Sequence, residues 1–204
     1  MSLTYRELLR RRRVTRDYLP EPVDPDALER IVSVIRRAPS AGYAQGQRLV
    51  VITSEERRQQ LGEVLKGGNY DDPGFARWMK TAPVHIAVCT IEDDYHRRYL
   101  QPERLIDGRE IDWPTPYWWI DAGGVAVLLF MAALDEGLAA GIYQAPPKYM
   151  DAFRAFLGVP DNVEVASVIT VGHAARSQEP DRSSRVTWPR KPLDQLVHRE
   201  RWSV

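Results

Sequence analysis

The sequence predicts a sandwich of the α/β or α+β class, in which helices cover both faces of one sheet. Segments with helical spacing alternate with short apolar strands along the chain. One long segment, Trp118 to Leu134, is apolar all round, which is typical of a helix buried on every side. With 204 residues, 44% of them hydrophobic, the chain can form one core of this kind. We therefore expect a single domain over residues 1–204.

The N-terminal part contains two predicted helices before the first strand. Apolar residues at helical spacing predict an amphipathic helix over residues 2–12. Asp24-Pro25 supplies an N-cap and a proline at the first helical position, and Ala38-Pro39 ends that second helix. RLVVIT, residues 48–53, is typical of a buried strand, and Ser54 opens a third helix.

In the middle of the chain, the sequence pattern predicts a second strand and the central helix. VHIAVCT, residues 84–90, is an uninterrupted apolar run of strand length, and Gly67-Gly68 before it indicates a turn. Residues 91–116 are charged and proline-rich, so we expect an excursion from the core or a lid. Gly137 caps the end of the long apolar helix.

The C-terminal part predicts one more helix and one more strand. LAAGIYQAPP, residues 138–147, is either a short strand or a loop. Lys148 to Leu157 has helical spacing and is stopped by Gly158. VEVASVITVGH, residues 163–173, is a clear strand. The tail, residues 176–204, has little periodicity, and we expect it to wrap over a surface.

Charge and composition exclude several classes of function. The 28 basic and 28 acidic residues cancel, although the first 20 residues hold six arginines against Glu7 and Asp17. A neutral chain lacks the strongly basic character that duplex nucleic acid usually requires. The longest uncharged apolar run, Ala122 to Leu134, falls short of the roughly 20 residues that span a bilayer. The opening MSLTYRELLRRRR lacks the apolar segment of a signal peptide, so we expect a cytoplasmic protein without membrane or nucleic-acid partners.

No common catalytic or metal-binding motif is present in the sequence. The four histidines are far apart, and the single cysteine, Cys89, lies in an apolar strand, so we expect no metal site and no cysteine nucleophile. Glycine-rich phosphate loops are also absent. A nucleotide cofactor would therefore need side chains to hold its phosphate. Arginine, whose planar fork donates two hydrogen bonds to one phosphate, is concentrated in the stretch from Arg10 to Arg16. The alternative is a solvated arginine face, because the chain has 24 arginines and four lysines.

The arginine-rich stretch Arg12 through Val23 is followed by a helix, by Ala38 through Gln47 and then by a strand. This order resembles the opening of the nitroreductase family of flavin enzymes, R-R-S-[IV]-R-x-F-x-x-x-P-V followed by A-P-S-x-x-N-x-Q-P-W. Asp121 through Leu138 looks like its long buried helix ending in G-L. Later segments resemble its L-G-[IV]-P, its [IV]-G-Y and its basic C-terminal segment, at residues 157–160, 171–173 and 190–202.

The resemblance implies an α+β sandwich with a mostly antiparallel central sheet. It also implies an intertwined homodimer that binds FMN at the subunit interface. By position, the arginines that would hold the FMN phosphate are Arg12, Arg13, Arg16 and Arg190. The residues that would lie along the flavin ring are Pro39, Ser40 and Gln45. The segment that would approach the far face of the ring and its N5 with backbone groups is Ile142, Tyr143, Gln144 and Ala145.

The sequence departs from the family pattern at positions that matter for flavin binding. The family's serine is Val14, its asparagine is Tyr43, and its P-W pair is Gly46-Gln47. Tyr43 could stack on the flavin ring or lie beside it. The tryptophan-rich stretch, residues 113–119, is either core or dimer interface, or it roofs a flat aromatic substrate by stacking.

The resemblance further implies an oxidoreductase that passes hydride from NADH or NADPH through FMN to a small aromatic acceptor, such as a nitro compound or a quinone. The cofactor performs this chemistry and the protein supplies orientation and electrostatics. Two alternatives remain open. One is a different reaction on the same fold, a flavin destructase or a dehydrogenase. The other is a flavin-binding dimer without catalytic activity.

Overall fold

A computed structural model describes residues 3–65, 78–175 and 189–202 of the chain. The described residues include one antiparallel sheet with strand order β1-β2-β4-β3. Its strands are β1 (Gln47–Ile52), β2 (Val84–Thr90), β3 (Ala139–Tyr143) and β4 (Glu164–Gly172). The sequence of residues 138–147 is compatible with a strand or a loop, and the structure shows a strand, β3, at one edge of this sheet.

The helices begin and end close to the residues that the sequence predicts. Asp24 and Ser54 cap their helices through the side chain, and Gly158 ends its helix in the left-handed conformation. The helices are α1 (Tyr5–Arg11), α2 (Pro25–Ser33), α3 (Glu55–Val64), α4 (Glu92–Tyr99), α5 (Tyr117–Asp135) and α6 (Met150–Leu157). The predicted turn at Gly67-Gly68 and residues 176–188 of the predicted tail lie outside the described residues.

Apolar side chains bury both faces of the sheet in two separate cores. Leu61 of α3 and Phe153 of α6 pack with Cys89 in the first core. Ile31 of α2 and Leu129 of α5 pack with residues of β2 and β4 in the second. Because neighbouring residues of a strand point to opposite faces, β2 contributes to both cores and is buried throughout. The sandwich predicted from sequence is thus confirmed, with an antiparallel sheet and an α+β fold.

The prediction that α5 is buried on every side is wrong for the single chain. Its sheet-facing residues are buried, but Trp119, Ile120 and Val127 are 40%, 54% and 62% exposed. By length and composition α5 is apolar enough to cross a membrane. The core helix of a soluble protein passes the same test, and α5 packs against β2 and β4 as such a helix does. An apolar face of α5 is therefore left uncovered by the part of the chain that the structure describes.

The excursion predicted over residues 91–116 contains an additional helix, α4, and a short 3₁₀ turn at Pro102–Arg104. The sequence EDDYHRRY of α4 has no apolar stripe, which is why periodicity did not reveal it. Acidic residues in its first turn and basic residues in its last turn interact favourably with the helix dipole and stabilise the helix. Tyr95, its fully buried residue, packs edge-on against Trp113 and close to Trp118. The tryptophan-rich stretch thus contributes to the packing of this segment.

His96 of α4 connects the helix to the chain that follows it. Its Nδ1 lies 2.7 Å from Glu110 Oε1, and its Nε2 lies 3.3 Å from Glu92 Oε1. Trp113 Nε1 donates to the same Glu110 oxygen at 2.7 Å. Burial lowers the pKa of His96, but the hydrogen bonds to the two carboxylates outweigh burial and raise the pKa above its ordinary value.

We predict that His96 stabilises the fold at acidic pH and loses this effect as the pH rises. A histidine with a raised pKa in the folded chain contributes its full stabilisation below the unfolded pKa of about 6.5, and that contribution disappears as the pH rises through the folded pKa. His96→Gln should therefore lower the melting temperature at pH 5.5 more than at pH 9. His173→Gln is the matched control, and parallel pH profiles for wild type and His96→Gln would contradict the prediction.

Candidate functional site

The arginine-rich segment after α1 is fixed to the edge strand β3. Thr15 is buried, and its backbone N–H donates to Ala140 O at 2.8 Å. A Cβ atom on Gly141 would lie 2.5 Å from Thr15 O, so this close approach requires glycine. The Tyr18 hydroxyl reaches Thr15 O at 3.1 Å and Thr170 Oγ1 at 2.8 Å. The backbone of residues 15–18 is therefore held firmly against the sheet.

This fixed segment presents guanidinium groups to solvent. Arg12, Arg13 and Arg16 are all exposed, and the Arg16 guanidinium lies over the Trp78 ring, 5.8 Å from its centroid. Val14, at the family's serine position, is 37% exposed and supplies no hydroxyl. Arg190 is also exposed, within the described residues 189–202. Because guanidinium forks match the geometry of phosphate, the first three arginines fit a phosphate group.

The predicted flavin-ring residues form a tight turn after α2. Ser40 Oγ accepts a hydrogen bond from Gln45 N at 3.0 Å. Tyr43 and Gln45 have φ values of 64° and 53°, in the left-handed region that non-glycine residues rarely adopt. Such residues persist where the surrounding structure holds them. Pro39 and Gln45 are exposed, and Tyr43 is 71% exposed, so this turn offers an aromatic ring to solvent.

A buried network anchors the turn to α5 and β1. Asp121 Oδ2 accepts from Ala41 N at 2.8 Å and from the Tyr95 hydroxyl at 2.7 Å, and Gln47 Nε2 donates to that hydroxyl. Burial is the main cause that raises the pKa of Tyr95, so its hydroxyl keeps its proton and donates to Asp121. Sequence reasoning did not identify Tyr95 or Asp121 as positioning residues. Asp121 carries the one charge among residues 117–134, and this isolated charge is a signal that could have revealed it.

The third predicted segment lies at the end of β3. The Tyr143 side chain is buried, and its hydroxyl lies 3.2 Å from His85 Nδ1. Burial lowers the pKa of His85 to about 3, so this histidine is neutral. Gln144 uses its side-chain amide to donate to Val165 O at 2.8 Å. A ligand contact by Tyr143 would therefore involve its backbone. The neighbouring Ile142 is 41% exposed, so its side chain is accessible to a ligand.

Within one chain, the arginine segment (residues 12–16) and the turn (residues 39–45) lie near opposite ends of α5. The turn binds Asp121, close to the first residue of the helix. The arginine segment binds Ala140, just beyond the last residue, Asp135. At 1.5 Å per residue, Asp121 and Asp135 are about 21 Å apart along the helix axis. The single chain thus keeps the segment of Arg12, Arg13 and Arg16 well apart from the turn of residues 39–45, whereas residues 142–145 lie at the end of the strand that Thr15 contacts.

Comparison with known proteins identifies the family. The model of the nitroreductase family matches residues 9–173. A nitroreductase family protein from Clostridium difficile 630 has 27% identity and a TM-score of 0.69, with 98% of this chain and 100% of that chain covered. A protein of Archaeoglobus fulgidus that carries the name NADH dehydrogenase/NAD(P)H nitroreductase is 24% identical over 87% of this chain and 94% of its own length. The chain belongs to the nitroreductase family.

The comparisons also include a relative with a different named reaction. An iodotyrosine deiodinase from Nematostella vectensis is 21% identical, over 96% of this chain and 75% of that protein. An NADH dehydrogenase of Thermus thermophilus is 23% identical over 92% of this chain and 91% of its own length. The family and the names of these relatives indicate an oxidoreductase.

We predict that Tyr95→Phe destabilises the protein by about 1–3 kcal/mol, because it leaves buried polar partners of the hydroxyl without a hydrogen bond. The free energy of unfolding, measured with urea, checks this value. Tyr5→Phe is the matched control, since Tyr5 is 71% exposed and its replacement should change the free energy little. Equal effects of the two substitutions would show that the network does not hold the turn.

Proposed function

We propose that this protein is an FMN-dependent oxidoreductase that takes hydride from NADH or NADPH and passes it to a small aromatic acceptor, such as a nitro compound or a quinone. The observation that carries the proposal is the arginine segment. Three exposed guanidiniums extend from a backbone that Gly141 and Thr15 fix to β3. A chain of this family without a glycine-rich phosphate loop needs such side chains to hold a nucleotide phosphate.

The residues present fit the chemistry of FMN. Arg12, Arg13 and Arg16 would hold its phosphate, with Arg190 contributing from the C-terminal segment. Guanidiniums alone would perform this role, because Val14 has no hydroxyl to donate. The turn at 39–45, with the exposed ring of Tyr43, would lie along the flavin, and the backbone of 142–145 would approach its N5. When bound, FMN supplies the redox chemistry by accepting hydride and then donating it.

Two reactive side chains among the described residues, Cys89 and His85, are unsuited to a catalytic role. Cys89 is buried, and burial raises the pKa of its thiol to about 11, so it is not a thiolate near neutral pH. His85 is buried and neutral. Hydride transfer needs no protein acid or base at the reacting carbon, so the role of this chain would be to bind, orient and exclude water.

We also propose that the protein is a cytoplasmic homodimer and that a second copy completes the site. The uncovered face of α5 exposes Trp119, Ile120 and Val127. The C-terminal segment exposes further large apolar side chains, namely Leu193, Leu196, Val197 and Trp202. Obligate homodimer interfaces are large and apolar in this way. A twofold arrangement could bring the arginine segment of one protomer near the turn of its partner.

The experiment that tests the proposed function begins with FMN binding. The purified protein should show the absorption bands of an oxidised flavin, or gain them when FMN is added. NADH or NADPH should bleach these bands without oxygen, and a quinone should restore them. Bleaching without turnover of any acceptor would favour a flavin-binding protein, and breakdown of the flavin under oxygen would favour a destructase. A protein that takes up no FMN would contradict the proposal.

We predict that Arg16→Ala weakens FMN binding about tenfold to a hundredfold, the effect of losing a charged hydrogen bond of roughly 1.5–3 kcal/mol. Riboflavin, which has no phosphate, should lose far less affinity. Fluorescence titration measures both constants. Arg36→Ala, on an exposed 3₁₀ turn after α2, is the control. If the two alanine variants bind FMN with the same affinity, the arginines form a solvated face.

We predict that Val127→Asp converts the dimer to a monomer, because it buries a charge in an apolar interface. Sedimentation velocity at micromolar concentration measures the change. Ile106→Asp is the matched control, since Ile106 is 63% exposed on the excursion, outside helix α5. A wild-type protein that sediments as a monomer would contradict the proposed assembly.

A further inference from the structure

An open groove lies beside the turn that carries Tyr43 and Gln45, between the start of β1 and helix α4. Its volume is about 510 Å³. The residues that line it are Tyr43, Ala44, Gln45, Arg48, Asp94, Arg97, Arg98 and Gln101. The resemblance and the comparisons assign no role to the three arginines among them.

The groove has an excess of positive charge. Among the described residues, Asp94 is the one carboxylate in its lining, and its side chain is 10% exposed. Both of its oxygens are occupied, Oδ2 by Arg48 Nη2 at 3.0 Å and Oδ1 by Arg97 Nη2 at 3.2 Å. One carboxylate shared by two guanidiniums cannot neutralise both. The three lining arginines and Asp94 together leave an excess of two positive charges. Next to the lining, Glu103 pairs with Arg98 and Arg104 adds a guanidinium, and these two further charges cancel.

Two of these guanidiniums are held in place by the turn itself. Arg48 Nη1 donates to Gln45 O at 2.7 Å and to Gln47 O at 2.8 Å. Arg98 Nε donates to Gly42 O at 2.9 Å. The side chain of Arg97 is 71% exposed and extends from α4 over the groove. Since the fold already orders Arg48 and Arg98, an anion would meet prepositioned donors and pay less ordering entropy on binding.

We propose that this groove binds an oxyanion, a phosphate or carboxylate group carried by the molecule that reacts at the neighbouring turn. The proposal rests on the proposed function, because Tyr43 and Gln45 line the groove and are also predicted flavin-ring residues. Arginine clusters recognise both oxyanions through paired N–H donors. The flat part of the reacting molecule would then contact the exposed Tyr43 ring, while its charged end enters the groove.

Inorganic pyrophosphate is the probe for the first test, and backbone amide NMR signals report where it binds. In the wild type the signals of Ala44, Gln45 and Gln101 should shift in a saturable way. Arg97→Gln should weaken this site-specific binding about fivefold to tenfold, a partial effect because Arg97 is largely exposed. Arg97→Lys, which keeps the charge, should retain most of it. Signals that do not shift, or that shift equally in Arg97→Gln, would overturn the proposal in favour of ion pairs that serve the fold alone.

Arg36→Gln is the matched control for that titration. Arg36 and Arg37 line another open groove, of about 440 Å³, after α2, so the control removes an arginine from a comparable surface. Pyrophosphate binding near Ala44 should be unchanged in this variant. Equal weakening by Arg36→Gln and Arg97→Gln would indicate a general effect of net charge and would count against a defined site.

Kinetics of the FMN-loaded enzyme identify the source of the oxyanion. If the dinucleotide supplies it, Arg97→Gln should raise the KM for NADH or NADPH with an uncharged quinone. If the acceptor supplies it, the KM should rise for a carboxylated quinone and not for its uncharged analogue. Unchanged KM values in every case would overturn the link to the reaction. The NMR titration needs no flavin, so it tests the anion groove independently of FMN. A failure of FMN binding would refute the proposed function, and the pyrophosphate titration would still decide whether the groove binds an oxyanion.

Discussion

The arrangement of the candidate site depends on one carboxylate in an apolar helix. Asp121 lies in the first turns of α5, where its Oδ2 binds both the Tyr95 hydroxyl and the backbone of Ala41. Through these bonds a single side chain joins the central helix, the excursion helix α4 and the turn of residues 40–45. The same turn contains two left-handed residues, and its carbonyl groups accept hydrogen bonds from Arg48 and Arg98. The two hydrogen bonds to Oδ2 offset part of the cost of placing a carboxylate so close to the core.

The same helix explains why one chain leaves the site divided. Its sheet-facing side is buried, and its other side exposes apolar residues that water solvates poorly. The arginine segment lies beyond one end of α5 and the turn lies beside the other end. In the proposed homodimer, a partner placed across the uncovered face would bring these two parts together. Stability, assembly and cofactor binding would then be linked, because the surface that closes the apolar face also joins the two parts of the site.

Much of the fold could be predicted from the sequence, since its signals are local. The caps at Asp24 and Ser54 and the left-handed glycine at 158 determine helix ends through neighbouring residues, and the apolar run of β2 reflects burial on both faces. Helix α4 was missed because polar end effects and one buried tyrosine, and not an apolar stripe, stabilise it. The covered and uncovered sides of α5 are both apolar, so only packing distinguishes them. The motif order located the arginine segment and the turn, but the network around Tyr95 joins residues distant in sequence and became visible only in the structure.

The arginine segment also covers part of an edge strand of the sheet. Strand β3 is an edge strand, and an uncovered edge offers unpaired backbone groups to any other strand that approaches. Thr15 occupies the carbonyl of Ala140, and the Gly141 contact presses the segment so close that no further strand could pair at this position. Fraying of the N-terminal segment would expose this edge and open a template for aggregation. The segment proposed to hold a phosphate thus also shields backbone groups of the sheet.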